Sequence, residues 1–337
     1  MAKPAPEQLA AFFAKERVTV CVTDVGLGGL SVLSEIERRL QTDPLFPEIE
    51  LLYFNAAVNP GYTQRPVPDQ VDIFDAALTG MEAYEPDIIL IACNTLSVLY
   101  GETQWQKTAP IPVLNIVDFG VALFADAMLA DPSSVALIFG TDTTAQVAAH
   151  RTALAERGVD PARVIMKGCP KLATRIQGNG ADSPEADTIL SNFVSEAWED
   201  MSQQLGATGP PGTVLAGMMC THYGYSLPLW ERALGQHAST GSAGAAAPKT
   251  RCINPNSDMA AYIFSASTRT LAARTVISIR VLSMVPLVSE IDSIAPLREF
   301  PSANAENEPP FLFKLSPENR RNAEAKPLRC VPIHHCP

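Results

Sequence analysis

Short apolar segments alternate along the chain with longer segments in which apolar residues recur at helical spacing. Most of the apolar segments end in Gly, Asn, Thr, Asp or Cys. In the first third of the chain they predict buried strands at residues 18–23, 49–54 and 88–92. Because strands that alternate with helices form right-handed βαβ units, this pattern predicts an α/β fold with mostly parallel sheets covered on both faces.

The same pattern restarts after residue 112. Further strands are predicted at residues 113–117, 134–139, 164–166 and 213–218, and a helix at about 185–204. In each half, one strand is followed by a polar segment with Gly, Thr or Asp, and a later strand is followed by Cys and two polar residues. This weak internal symmetry indicates two related lobes.

The composition of the chain changes after Cys220. Residues 238–248 are rich in Ser, Gly and Ala, which is typical of a flexible segment. The last predictions are a helix at about 256–274, a strand at 276–287, a loop at 301–310 and an aperiodic tail from about residue 320.

Composition excludes several classes of protein. The chain has 337 residues, of which 47% are apolar and 18% charged, so it is long enough for two domains and too apolar for general disorder. Its net charge of −11 argues against nucleic acid or an anionic membrane as partner. No apolar segment has the roughly 18 residues that cross a bilayer, and residues 1–17 lack the apolar core of a signal peptide. Seven cysteines, an odd number, make a disulfide framework improbable, so we expect a cytoplasmic protein with reduced thiols.

Four chemically capable residues follow predicted strands: Asp24, Cys93, Thr141 and Cys220. In open α/β sheets, ligands bind beyond the carboxyl ends of the strands, so we expect these four side chains to converge. A single cysteine after a strand is most simply a small core residue, but Cys93 and Cys220 are each followed by hydrogen-bonding residues. Two facing thiols can remove a proton from one face of a carbon and return one to the other. Asp24 could set the ionisation of Cys93, and His222 that of Cys220.

Five segments resemble, in order and spacing, the motifs of glutamate racemase, a family of the cofactor-independent aspartate/glutamate racemase superfamily. They are TDVGLGGLSVL (23–33), IACNT (91–95), GTDTT (140–144), GCP (168–170) and CTHY (220–223). The resemblance spans about residues 18–230. It implies two pseudo-symmetric, doubly wound lobes with the active site in the cleft between them. The first lobe would comprise 1–112 and 226–320, the second 113–225, and 321–337 would be a mobile tail.

The resemblance also implies roles for individual residues. Cys93 and Cys220 would be the catalytic bases, assisted by Asp24 and His222. The substrate contacts would be Asn94, Thr95, Thr141, Thr144 and Thr221. The implied enzyme takes a small-molecule substrate, an amino acid, uses no cofactor and no metal, and would supply a D-amino acid to peptidoglycan in the cell wall. A homodimer is compatible with the resemblance, although members of the superfamily pair differently.

The chain departs from the family pattern in four places. Val25 stands where the family has Ser, and Pro60–Tyr62 reads Pro-Gly-Tyr instead of Pro-Tyr-Gly. Gln177 stands where an acidic residue is expected, and Gly224 replaces Pro. Val25 and Tyr62 are retained as candidate substrate contacts. The resemblance makes glutamate the first candidate substrate, while Val25 and Gln177 favour a relative acting on aspartate, a hydantoin or another carboxylate. A further alternative is a non-catalytic racemase-like binding protein, which the intact Cys93 and Cys220 oppose.

Two other patterns carry less weight. The glycines at 26–29 suggest a dinucleotide-binding turn, but its third glycine would fall on Ser31, and the second strand ends at Asn55 without the acid that a ribose hydroxyl needs. The tail 330–336 (CVPIHHC) has metal-binding residue types, yet its spacing fits no standard zinc knuckle. We therefore expect neither a nicotinamide cofactor nor a metal.

Overall fold

A computed structural model of the chain describes residues 6–206, 211–239, 247–267 and 271–284. Within these ranges the strands are β1 (Arg17–Asp24), β2 (Glu48–Asn55), β3 (Ile88–Ile91), β4 (Val113–Asn115), β5 (Ser134–Gly140), β6 (Val164–Gly168), β7 (Thr213–Met219), β8 (Lys249–Ile253) and β9 (Val276–Ser283). The α-helices are α1 (Pro6–Ala14), α2 (Leu30–Thr42), α3 (Val67–Glu82), α4 (Asn94–Tyr100), α5 (Trp105–Thr108), α6 (Ile116–Ala130), α7 (Asp142–Val147), α8 (Ala149–Glu156), α9 (Leu172–Asn179), α10 (Pro184–Leu205), α11 (Leu227–Ser239) and α12 (Asn256–Ser265). Short 3-10 helices lie at Tyr62–Gln64, Pro161–Arg163 and Thr221–Ser226.

The strands form two parallel sheets. The first sheet has the order β4-β3-β1-β2-β9, and the second has the order β6-β5-β7-β8. Every pairing between neighbours is parallel. The inner strands β3 and β5 are buried along their whole length, which is why they read in sequence as continuous apolar segments. The predicted α/β fold with mostly parallel sheets is confirmed.

Helix α6 joins the two sheets through one continuous apolar core. Its sequence is almost entirely apolar, and it buries Val121, Phe124 and Met128 in a cluster that contains residues of both sheets. Two glycines allow this close packing. A Cβ at Gly217 of β7 would lie 2.6 Å from the Phe124 ring, and one at Gly120 would lie 2.9 Å from Met219 Sδ. The position of one sheet relative to the other is thus set by packed side chains.

The strand pairings differ from the predicted lobe boundaries at two places. Strand β4 belongs to the first sheet, because it pairs with β3, although the second lobe was expected to begin at residue 113. Strand β8 belongs to the second sheet, because it pairs with β7, and α11 buries Trp230 and Leu234 in the core of that sheet. Both were expected in the first lobe. The full extent of each lobe stays a prediction.

Other predictions concern the end of the chain. Helix α12 ends at Ser265, earlier than the predicted 274, and β9 covers residues 276–283 of the strand predicted at 276–287. The loop at 301–310, the tail at 321–337 and most of the segment 238–248 lie outside the described residues. In the part of the chain that the structure describes, no helix combines the length and apolarity needed to cross a bilayer.

Candidate active site

The carboxyl ends of three inner strands meet between the two sheets. Asp24 ends β1, Cys93 follows β3 by two residues, and Cys220 follows β7 directly. All three side chains are buried. Thr221, which follows Cys220, donates a hydrogen bond of 2.8 Å from Oγ1 to Asp24 Oδ2. This bond ties the end of the first sheet to the end of the second, so the structure brings these predicted site residues together.

Each cysteine occupies the N-cap position of a helix. Cys93 precedes α4, and Cys220 precedes the 3-10 helix Thr221–Ser226. The backbone N–H of Leu96 faces the Cys93 sulfur, and that of His222 faces the Cys220 sulfur. The Tyr223 N–H also faces the Cys220 sulfur while it donates to the Cys220 carbonyl at 2.9 Å. N–H groups at a helix start favour a negative charge, so both positions support a thiolate once one forms.

Burial keeps both thiols protonated at neutral pH. It raises the pKa of Cys93 well above its ordinary value, and the charge of Asp24 and a hydrogen bond from the thiol to that carboxylate raise it further. Burial, and then the charge of Asp24, raise the pKa of Cys220 to about 12. A thiol with such a pKa acts as a base only if a neighbouring group accepts its proton. Asp24 is placed to do so for Cys93.

His222 is the corresponding neighbour of Cys220. Its Nδ1 lies 3.8 Å from Cys220 Sγ, and its Nε2 lies 2.8 Å from Gln177 Oε1. The same Gln177 oxygen accepts a hydrogen bond of 3.0 Å from the backbone N–H of Leu27, in the loop after β1. Burial lowers the pKa of His222, and the charge of Asp24 opposes that change in part. The imidazole is therefore neutral at pH 7.

Neutral polar groups lie between the two sheets near the strand ends. Thr95 Oγ1 lies 2.7 Å from Thr141 Oγ1, which lies 3.1 Å from Thr144 Oγ1, so one chain of hydroxyls crosses between the sheets. Thr141 also caps α7 by accepting the N–H of Thr144. Both amide atoms of Asn94 and the hydroxyl of Tyr62 are buried, with no hydrogen-bond partner among the described residues. Groups of this kind can bind the carboxylates and ammonium of an amino acid.

Val25 lies beside this polar site. Its backbone N–H donates to Asp24 Oδ1 at 2.7 Å, while its half-buried side chain packs against the apolar cluster that includes Cys93 and Tyr62. Valine thus contributes methyl groups at a position where serine would contribute a hydroxyl. Tyr62 starts a 3-10 helix, and its ring is buried in the same cluster.

Several supporting residues were not predicted from the sequence. Asn55 ends β2 directly beside Asp24, and its Oδ1 accepts the N–H of Gly26 at 2.9 Å. Its signal was available, because it is also a polar residue at the end of a predicted strand. Tyr225 donates to the Gly28 carbonyl at 3.3 Å, and Asn256 Nδ2 donates to the Thr221 carbonyl at 3.3 Å. These contacts depend on how loops pack, which no local pattern indicates.

Neither a metal cluster nor a disulfide is part of this site. No group of three or more His, Cys, Asp or Glu side chains is arranged to hold a metal ion in the ranges that the structure describes. The cysteines within those ranges are free thiols.

A family model described as Asp/Glu/Hydantoin racemase matches residues 26–212, which is more than half of the chain. The chain belongs to the Asp/Glu/hydantoin racemase family. It is 28% identical over 222 residues to a glutamate racemase of Synechocystis sp., covering 66% of this chain and 71% of that protein. It is also 28% identical over 216 residues to a glutamate racemase of Koribacter versatilis, and this match covers 64% of this chain and 67% of that protein.

A solved structure of this racemase family shows the same fold. Glutamate racemase from Thermus thermophilus, in complex with beta-chloro-D-alanine, superposes with a TM-score of 0.60 at 20% identity and covers 84% of this chain and 93% of that one. At this identity, the likeness supports the fold alone. The family and the fold predicted from the sequence are both confirmed.

Proposed function

We propose that this member of the family is a glutamate racemase that interconverts L- and D-glutamate with two cysteine bases. The observation that carries the proposal is the pair of buried thiols at facing strand ends, each beside its own proton acceptor. The choice of glutamate is supported by the names of the curated relatives.

The proposed reaction removes one proton from the α-carbon of the substrate and adds one proton to its opposite face. One cysteine, as thiolate, takes the α-proton of the substrate and leaves a carbanion at the α-carbon. The other cysteine, as thiol, gives its proton to the opposite face of that carbon, which inverts the configuration. Asp24 accepts the proton of Cys93 when Cys93 is the base, and His222 accepts that of Cys220 in the reverse direction. At the end of a turnover the acceptor still holds its proton and the cysteine that protonated the carbanion is a thiolate, so this proton passes to that thiolate, directly or through solvent, and no other reactant is consumed.

The polar groups around the thiols would hold the substrate. We assign its carboxylates to Asn94, to Thr221 and to the hydroxyl chain of Thr95, Thr141 and Thr144. Their support is that these groups are neutral and, apart from the half-buried Thr141, buried, and that Asn94 and Thr221 directly follow Cys93 and Cys220. While it is ionised, Asp24 is also the anionic partner for the substrate ammonium; when it holds the Cys93 proton, its neutral carboxyl accepts a hydrogen bond from the ammonium through its carbonyl oxygen.

Val25 favours a second candidate, a relative that acts on aspartate, a hydantoin or another carboxylate. Its methyl groups offer apolar contact where a free ammonium would gain more from a hydroxyl. A non-catalytic binding protein is the third alternative, and the two intact cysteines oppose it.

The cellular setting is a further part of the proposal. We place the enzyme in the cytoplasm, where it would supply a D-amino acid for peptidoglycan, and the free thiols are consistent with a reducing compartment. A homodimer stays a prediction from the resemblance.

Exchange of the substrate α-hydrogen tests the proposal. The protein is incubated in deuterated water with L-glutamate, D-glutamate, aspartate or a hydantoin, and loss of the α-proton signal is followed by NMR while inversion is followed by polarimetry. We expect exchange and inversion with both glutamate enantiomers, unchanged after exhaustive chelation. Exchange with another substrate only would select the second candidate, and none with any would select a binding protein.

The matched controls are Cys93→Ser and Cys220→Ser. Each should abolish racemisation, because a hydroxyl is a far weaker acid than a thiol and cannot replace it as the base. Near-normal racemisation by either folded variant would remove that cysteine from the mechanism.

A further inference from the structure

Gln177 connects the loop after β1 with His222 through a single oxygen atom. It lies on α9, and its Oε1 is 3.0 Å from the backbone nitrogen of Leu27 and 2.8 Å from Nε2 of His222. A backbone N–H can only donate, so the side-chain atom that faces Leu27 must be the amide oxygen and not the amide nitrogen. The orientation of the Gln177 amide is thereby fixed by the main chain.

This orientation determines which imidazole nitrogen carries the proton. The amide oxygen is only an acceptor, so His222 Nε2 must be the donor in the 2.8 Å hydrogen bond. A neutral imidazole has one N–H, and therefore Nδ1 presents its lone pair. Nδ1 lies 3.8 Å from Cys220 Sγ, within reach of a thiol that donates to it.

The ring has little freedom to leave this orientation. A Cβ built on Gly26 would lie 3.5 Å from His222 Nε2, and one built on Gly28 would lie 2.6 Å from His222 Nδ1. The glycine loop thus packs directly on the imidazole edge. The charged and titratable groups that face the ring are Asp24, which favours the imidazolium, and Cys220.

We propose that Gln177 is a positioning residue that holds His222 in the Nε2–H tautomer, so that Nδ1 is the proton acceptor for Cys220. The inference rests on the proposed function only for its catalytic consequence. When Cys220 becomes the base, its S–H bond breaks and an N–H bond forms at Nδ1, giving a thiolate and an imidazolium. The neutral amide fixes the direction of this transfer without adding the negative charge that a carboxylate would bring.

The tautomer can be read without any substrate. Nitrogen-15 NMR of the full chain with labelled histidine distinguishes Nε2–H from Nδ1–H, and the His222 signals are those missing from His222→Asn. We expect Nε2–H in the wild type. In Gln177→Met, a side chain of similar size without an acceptor, we expect a mixture of tautomers. An Nδ1–H ring in the wild type, or an unchanged Nε2–H ring in Gln177→Met, would overturn the proposal.

Kinetics separate positioning from a merely structural role. Gln177→Met should lower kcat by about tenfold or more, with little change in KM, because the acid–base step loses its aligned acceptor. Gln177→Glu keeps an acceptor for both donors, so it should retain the tautomer and raise the pKa of His222, moving the acidic limb of the kcat–pH profile upward. A folded Gln177→Met that loses only thermal stability would contradict the inference. Absence of glutamate turnover with the expected spectra would instead contradict the proposed function.

Discussion

Asp24 influences both halves of the site. Its carboxylate accepts hydrogen bonds from the Val25 N–H, the Thr221 hydroxyl and the Cys93 thiol. Its charge raises the pKa of both cysteines, and the nearby Cys220 raises that of Cys93 as well. Two thiolates beside one carboxylate are thus strongly disfavoured. A two-base reaction needs just this condition, since one cysteine must be a thiolate while the other keeps its proton.

Val25 provides a test of substrate choice. Burying an ammonium with one acceptor too few costs about 1–3 kcal/mol, which corresponds to about one to two orders of magnitude in affinity. We therefore expect a high KM for glutamate that falls in Val25→Ser, measured by steady-state racemisation. The matched control is Val276→Ser, at an exposed valine of β9. An unchanged KM in Val25→Ser would mean that the valine packs beneath the loop without meeting the substrate.

Site residues whose position follows from the end of a strand were predictable from the sequence. Asp24, Cys93, Thr141 and Cys220 were found because the carboxyl ends of parallel strands share one edge of a sheet. The bond from Leu27 to Gln177 was not predictable, because it joins residues 150 positions apart through a loop and a helix. Such contacts depend on the packing of one lobe against the other.

The loop between β1 and α2 is the element that brings the two sheets close to the chemistry. It reads Val-Gly-Leu-Gly-Gly, and Gly28 lies against Thr221 and His222. Gly29 lies against Asp24, where a Cβ would be 2.8 Å from the Asp24 Cβ. The glycines serve this close approach of backbone to site, which explains the pattern without a dinucleotide.

Gly28→Ala should therefore impair catalysis. The new Cβ would lie 2.3 Å from Thr221 Oγ1 and 2.6 Å from His222 Nδ1, so both side chains must move. We expect kcat to fall by about tenfold or more and the free energy of unfolding to fall by about 1–3 kcal/mol. Racemisation assays and urea unfolding would measure the two effects. Gly80→Ala in α3, where a Cβ meets nothing within 4 Å, is the control. Full activity of Gly28→Ala would contradict this account of the loop.

Elements with clear periodicity were predictable, and elements defined by tertiary contacts were not. Helix α10 was expected at about 185–204 and spans Pro184–Leu205. Strand β8 has the sequence Lys-Thr-Arg-Cys-Ile, in which exposed and half-buried residues alternate before the buried Ile253, so it carries no continuous apolar segment. It is a strand because β7 offers it a free edge to pair with.

For the whole molecule, the apolar core that joins the sheets also contains a buried titratable group outside the site. His150 lies in the first turn of α8, fully buried, and a Cβ at Gly120 of α6 would lie 3.7 Å from its Cδ2. Neither ring nitrogen has a hydrogen-bond partner among the residues that the structure describes. Burial lowers the pKa of His150 from 6.5 to about 4. Between pH 6.5 and about 4 the ring is therefore neutral in the folded protein, whereas it is mostly protonated in the unfolded chain.

This difference predicts a loss of stability in mild acid. Between pH 6.5 and about 4 the unfolded state binds the proton and the folded state does not, so the free energy of unfolding falls as the pH falls through this window. At the acidic end of this window, the free energy of unfolding has fallen by about 3 kcal/mol. The pKa of His222 is also lowered by burial, so His222 adds a loss of stability of the same sign in the wild type and in its variants. The contribution of His150 is therefore measured as a difference between variants.

In urea unfolding at a series of pH values, the free energy of unfolding of His150→Leu should decline less steeply with falling pH than that of the wild type. Val276→Ser, at an exposed valine of β9, removes no titratable group and should decline as the wild type does. Parallel curves for the wild type and His150→Leu would mean that His150 finds a proton-sharing partner on folding.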